Sequence, residues 1–192
     1  MMDVIETEQE HEKNSPYRFQ RFNCPSSDTL KREGLGTPVG YTGMSWSGFR
    51  PSDDACEYGY FIPANLFAAA MLESFAPMAE KLEHAKLGAR ARRLAEQIRR
   101  GIEQFGLVET EEFGEIYAYE TDGLGHYTLM DDANIPGLLS LPYLGVCRAD
   151  DPLYQRTRAF ALSRQNPYYF EGRAARGVGS PHTPKDSVWP IA

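Results

Sequence analysis

Gly43-Met-Ser-Trp-Ser-Gly-Phe-Arg-Pro-Ser-Asp53-Asp54-Ala-Cys-Glu57-Tyr-Gly-Tyr60 crowds an Arg, three carboxylates, a Trp and two Tyr into one short run. Gly43 and Gly48 loosen its backbone and Pro51 stiffens it, a mixture that neither a regular helix nor a regular strand calls for. Aromatic faces beside carboxylates and a guanidinium suit a polar, ring-shaped ligand such as a sugar. The local alternative is a turn or helix cap, because Ser-Asp-Asp after Pro is good turn chemistry.

Working outward, the chain reads as helices separated by long loops. A helix is expected from about Pro63, where a missing N–H costs nothing, and Leu66-Phe-Ala-Ala-Ala-Met-Leu72 makes it apolar almost all round. Pro77 is expected to kink or end it. A second helix is predicted from about Lys86 to Phe105, where Leu87, Ala91, Leu94, Ile98, Ile102 and Phe105 fall on one stripe. Its arginines, Arg90, Arg92, Arg93, Arg99 and Arg100, lie mostly off that stripe and read as a solvated face rather than a nucleic-acid surface. Residues 107–120 pattern as a small β-hairpin around Glu111-Glu-Phe-Gly114. Tyr17 to Phe22 alternates like a short strand, Asn134 with Pro136 reads as a helix start, and Asp151-Pro152 starts another helix reaching about Ser163. Residues 166–184 read as loop, and Val188-Trp-Pro-Ile-Ala192 as the opening of a further helix. Residues 1–14 form a polar lead-in, either a helix end or disordered.

Three loops, 43–60, 119–134 and 166–184, share a composition rich in Asp, His, Tyr and Gly. Loops this long in a compact domain are usually functional, and the economical arrangement brings all three to one end of the helical scaffold.

Composition bounds the function. The 192 residues fit one domain or a large piece of one, and 42% hydrophobic residues suffice for a core. A net charge of −7 argues against nucleic acid or an anionic membrane as partner. No run of ~18 apolar residues is present to span a bilayer. The three cysteines, Cys24, Cys56 and Cys147, have neither metal-ligand nor disulfide-framework spacing. With no leader pattern at the N-terminus, a cytoplasmic location is the expectation.

Within the loops, Asp53 or Asp54 is the candidate general acid, made less acidic by crowding with its neighbour and Glu57. Glycoside hydrolysis needs this residue type, with a second carboxylate to activate water or attack. Arg50 is a candidate for binding a carboxylate or sugar hydroxyls, and Trp46, Tyr58 or Tyr60 for stacking on a sugar ring. Asp132 and Asn134, next to Asp131, form a second polar knot, with helix capping as the alternative. His182 sits on a stiff loop and His126 on a looser one. Asp131, Asp132, His126 and His182 also raise a metal site, which no HxH, HExxH or Cys/His spacing supports.

Several of these motifs together resemble glycoside hydrolase family 125, the exo-acting α-1,6-mannosidases. They are Ser15-Pro-Tyr-Arg-Phe-Gln-Arg21, Gly43 to Asp54, Ile62-Pro-Ala-Asn65, Asp131-Asp-Ala-Asn-Ile-Pro-Gly-Leu-Leu-Ser-Leu-Pro-Tyr-Leu-Gly145 and Gly179-Ser-Pro-His-Thr-Pro184. The resemblance covers 15–192 and is expected to match only an internal segment of the family domain. It implies a mainly α fold, part of an (α/α)6 barrel or toroid, inversion at the anomeric carbon and no metal or other cofactor. It implies an Asp of the Arg-Pro-Ser-Asp-Asp motif as the acid, so Asp53 and Asp54 both stand. It further implies that the three loops, with Ser180 among them, line a subsite for an α-1,6-linked mannoside. Family members are roughly twice this long, and the resemblance puts the general base, a Glu, beyond the Ser-Pro-His-Thr-Pro motif. None of the eight residues after Pro184 is Glu, so the base is expected to be missing. The remaining readings are a carbohydrate-binding pseudoenzyme and a metal-dependent hydrolase built on the Asp/His cluster.

Overall fold

In the computed structural model, which describes residues 1–182, 184, 187 and 188, the scaffold is helical with three small sheets. Its centre is a pair of packed helices, α4 (Ile62–Lys81) and α5 (Ala85–Phe105), joined by a short connection. Ile62, Leu66, Ala69, Leu72 and Ala76 on α4 and Ala91, Leu94, Ala95, Ile98 and Ile102 on α5 are buried. Small residues let the backbones approach: a Cβ on Gly88 would sit 2.9 Å from the Ala76 carbonyl oxygen. The predicted α5 stripe is the buried face, except that Leu87 is exposed at its first turn.

Three of the five arginines of α5 pair with neighbouring helices. Arg99 pairs with Glu73 at 2.9 Å and Arg92 with Glu80 at 2.9 Å, both on α4. Arg90 pairs with Asp3 and, at 2.5 Å, with Glu6 of α1 (Met2–Gln9). Residues 1–14 are therefore ordered helix: α1 is followed by α2 (His11–Asn14), and Ile5, Gln9 and His11 are buried.

Several expectations change. Pro77 lies inside α4, which continues to Lys81; burial of Ala76 and Ala79 on either side offsets the lost hydrogen bond. Tyr17 to Phe22 is not a strand. Its backbone is taken up locally instead: Phe19 N donates to Gly34 O, Leu30 N to Phe19 O and Arg21 N to Thr29 Oγ1. Gly34 closes α3 (Lys31–Gly34), a single turn in which Arg32 and Glu33 take left-handed φ values. No helix starts at Asn134; residues 133–147 form successive turns. The loop over 166–184 contains an antiparallel hairpin, β6 (Tyr169–Glu171) with β7 (Arg176–Val178).

The hairpin β2 (Leu107–Thr110) with β3 (Gly114–Tyr117) forms as the pattern predicts. It packs against α6 (Pro152–Ala161), whose N-cap Asp151 accepts from Tyr154 N. The third sheet places the site. β1 (Tyr60–Phe61), β4 (Glu120–Thr121) and β5 (Tyr127–Thr128) pair in that order, with Phe61 opposite Glu120. This register carries the end of loop 43–60 against the start of loop 119–134. Among the described residues no helix is long and apolar enough to cross a membrane. Of the apolar stretch at 188–192, all but Val188 lies outside the described residues.

Candidate functional site

The three loops meet. In the first, Arg50 N donates to Asp54 O and Asp53 N to Arg50 O, closing a tight turn flanked by the Phe49–Ala55 bridge. Asp53 takes a φ of 66° in this turn, a left-handed conformation that Asp tolerates better than most residues. The turn leaves Asp53 exposed and withdraws Asp54, which is 7% exposed. Ser52 Oγ donates to Asp54 Oδ2 at 2.7 Å, and His182 Nε2 from the third loop lies 3.2 Å from the same oxygen.

The second loop joins through Asn134. Its side-chain N–H donates to Ser180 Oγ at 3.1 Å and to Asp132 Oδ1 at 3.2 Å, and Ala133 N donates to Gly179 O. A cavity of about 230 Å³ is bounded by Pro51, Ser52, Asp53, Asn134 and His182. A larger one of about 640 Å³ lies on the other side of Asn134, with Asp132, Tyr143, Arg176 and the apolar Ile135, Leu139 and Val178 in its wall. Asn134 thus stands between two adjoining hollows.

Beneath the turn is a buried ion pair. Arg50 Nε donates to Glu120 Oε1 at 2.5 Å, and the other Glu120 oxygen accepts from Glu57 N and Tyr58 N at 2.9 and 3.1 Å. Glu120 is fully buried, and Arg50 lies over the Tyr119 ring, 5.6 Å from its centroid. Burial works against the guanidinium charge, but Glu120 outweighs it and holds Arg50 protonated more firmly than in water. Arg50 therefore clamps the loop from inside, with its Nε already committed.

Asp131 is fully buried and caps the turns that follow, accepting from Leu138 N and Leu139 N at 2.8 Å each. This explains why the expected helix start is a capped turn: the cap sits upstream of Asn134, and Gly137 packs with no room for a Cβ, which would lie 3.0 Å from Asp131 Oδ1. Burial pushes the Asp131 carboxyl up to about 7, against the pull of its two amide donors. Asp132 is also raised, first by burial, with Asn134 opposing. Tyr119 approaches Asp132, but neither Tyr119 Oη nor Asp132 Oδ2 completes a hydrogen bond.

Sequence and structure part company over the aromatics. Trp46 is buried, its ring stacked 3.5 Å from that of His11, which closes one face to any sugar. The physical reason is α2, which covers it from a segment expected to be a lead-in. Tyr60 is also buried, donating to Gly40 O. Tyr58 and His126 stack on each other with centroids 5.9 Å apart, and His126 Nδ1 is 2.6 Å from Asp122 Oδ2. Neither lines the two cavities beside Asn134. With His126 held by Asp122 and Asp131 by backbone amides, the proposed Asp/His metal set is not gathered. Among the described residues no group of three His, Cys, Asp or Glu is placed to hold a metal.

Glu120, Tyr119 and Ser52 are the participants that pattern reading overlooked. The only signal for Glu120 was a lone acid in the β-forming run Ile116-Tyr-Ala-Tyr-Glu-Thr121.

Comparison with known proteins places this geometry. The model of a family described as metal-independent alpha-mannosidase (GH125) matches residues 1–192, so the match includes the first fourteen residues as well as 15–192. The chain is 43% identical over 182 residues to the meiotically up-regulated gene 157 protein of Schizosaccharomyces pombe, covering 94% of this chain and 36% of that protein. A solved structure of a Streptococcus pneumoniae protein, described as one of a family of metal-independent alpha mannosidases in a non-productive complex with alpha-1,6-mannobiose, superposes with a TM-score of 0.95 at 44% identity. That likeness covers 99% of this chain and 45% of the other. The chain spans less than half the length of either relative.

Proposed function

Because the chain belongs to the metal-independent alpha-mannosidase family GH125, we propose that it carries the acid side of an exo-acting, inverting α-1,6-mannosidase site within part of an (α/α)6 barrel. The observation that carries the reading is the meeting of Asp53, Asn134 and His182, from three distant loops, around one small cavity, with Asp54 behind it 3.2 Å from His182 Nε2.

The Asp53–Asp54 pair supplies the acid. As the bond between C1 and the glycosidic oxygen breaks, its electron pair stays on that oxygen, which takes the carboxyl proton. Water adds to C1 from the opposite face and gives its proton to a carboxylate base. Glu120 and Asp131 are unsuited to be that base, since both oxygens of each are occupied. Asn134 and His182 present polar groups to sugar hydroxyls, while Ser180, buried at 2% exposure, holds both from behind through its hydroxyl. In this reading Arg50 supports the loop instead of touching the sugar.

The test is hydrolysis of α-1,6-mannobiose by a protein that joins this chain to the segment supplying the base, followed by proton NMR, with and without EDTA. The reading expects mannose released first as the β anomer at a rate EDTA does not change. Loss of activity in EDTA, or first release of the α anomer, rejects it. Mannose binding without any turnover selects the second reading, a carbohydrate-binding pseudoenzyme, which the occupied state of Glu120 and Asp131 favours.

A further inference from the structure

One oxygen of the Asp54 carboxylate is engaged and the other is open. Ser52 Oγ donates to Asp54 Oδ2 at 2.7 Å and His182 Nε2 lies 3.2 Å from it. Asp54 Oδ1 has no hydrogen bond among the described residues. Ser52 and Asp54 are buried, at 6% and 7% exposure, while the His182 side chain is half exposed and borders the small cavity. A carboxylate oxygen that already accepts a hydrogen bond and has an imidazole nitrogen beside it is the poorer site for a proton, so the proton of the acid form belongs on the other oxygen.

We propose that Ser52 is a positioning residue for Asp54: its hydroxyl occupies Oδ2, beside His182, so that Oδ1 carries and delivers the proton. The inference rests on the reading of Asp54 as the glycosidic acid. As Asp54 gives up its proton it becomes a carboxylate in a site largely closed to water. The hydroxyl already aimed at Oδ2 then binds more strongly as the charge develops, which favours the transition state over bound substrate. Ser52 acts through Asp54 without touching the sugar, so its loss falls on kcat and spares KM.

The experiment compares, in the same protein that joins this chain to the segment supplying the base, the wild-type sequence with Ser52→Ala, Ser52→Thr and Asp54→Asn on α-1,6-mannobiose and on 2,4-dinitrophenyl α-mannoside, whose leaving group needs no proton. Ser52→Ala is expected to lower kcat on the disaccharide about tenfold to a hundredfold, with KM within twofold, and to leave the dinitrophenyl substrate nearly unaffected. Ser52→Thr restores the hydroxyl and most of the rate. Equal losses on both substrates, or no loss on the disaccharide where Asp54→Asn is impaired, overturn the role of Ser52 and leave the acid assignment standing. Full disaccharide activity in Asp54→Asn removes Asp54 as the acid and this inference with it. A measurement independent of turnover is the His182 Nε2 proton in nitrogen-edited NMR. It is expected to be slowed in exchange in the wild type and lost in Asp54→Asn, and its absence in the wild type overturns the proposed geometry.

Discussion

Arg50 and Glu120 form a buried ion pair 2.5 Å long, linking a loop turn to a strand in the sheet beneath it. The carboxylate also accepts the Glu57 and Tyr58 amides, so its removal strands a guanidinium and two N–H groups in the interior. Glu120→Ala is expected to cost about 3–5 kcal/mol, as broken buried pairs do. Urea unfolding measures it, and a loss below about 1 kcal/mol would show the pair to be dispensable.

Asp131 sets a pH dependence. Burial raises its folded-state value from 3.8 to about 7, so the folded protein keeps a proton that the unfolded chain releases. Its contribution to stability is complete below about pH 4 and is lost as pH rises through about 7. Between these limits the slope is at most about 1.4 kcal/mol per pH unit, falling with increasing pH. Urea titrations from pH 4 to 8 are expected to show this component in the wild type and not in Asp131→Asn. A component of opposite sign would mean that the Leu138 and Leu139 amides dominate over burial.

His11 holds α2 onto the loop below. Its Nδ1 is 2.6 Å from Glu8 Oε2, its Nε2 is 2.8 Å from Leu35 O, and its ring covers Trp46. His11→Ala is expected to lower stability by about 2–4 kcal/mol, through the void beside Trp46 and the unpaired Glu8 and Leu35 oxygens. Thermal melting and tryptophan emission check it; an unchanged melting temperature would mean that the His11 contacts add nothing to the fold.

Met71, Phe75, Met78 and Leu82 recur at helical spacing along α4; Met71, Met78 and Leu82 are exposed and Phe75 is half-buried. Met78→Glu with Leu82→Glu is expected to change unfolding free energy by no more than about 0.5 kcal/mol per site, as surface substitutions do. Binding of a fluorescent apolar dye should fall in the same variant. A large loss of stability would place these side chains in the core instead.

Periodicity and end signals made the helices legible. The stripe from Ala91 to Ile102 and the Asp151-Pro152 start act through groups within a turn or two of one another, so their pattern is written locally. The polar composition of loops 43–60, 119–134 and 166–184 likewise pointed to a shared location, and side-chain contacts between them are present. The ordered motifs carried the family as well, because a run such as Asp131 to Gly145 is long enough to stand on its own.

What the amino acids determined alone was therefore that α4, α5 and α6 are helical, which loops hold the polar chemistry and which family they belong to. Tertiary structure decided which of those polar groups are free. Trp46 is lost to the core because α2 stacks on it, Arg50 because Glu120 reaches it from another strand, and Asp131 because it caps a turn. For Trp46 and Arg50 the partners lie tens of residues away, and for Asp131 they are backbone amides, none of which a local pattern of hydrophobicity records. That is why the loop at 43–60 could be found by reading, while the environment of each of its side chains had to be seen.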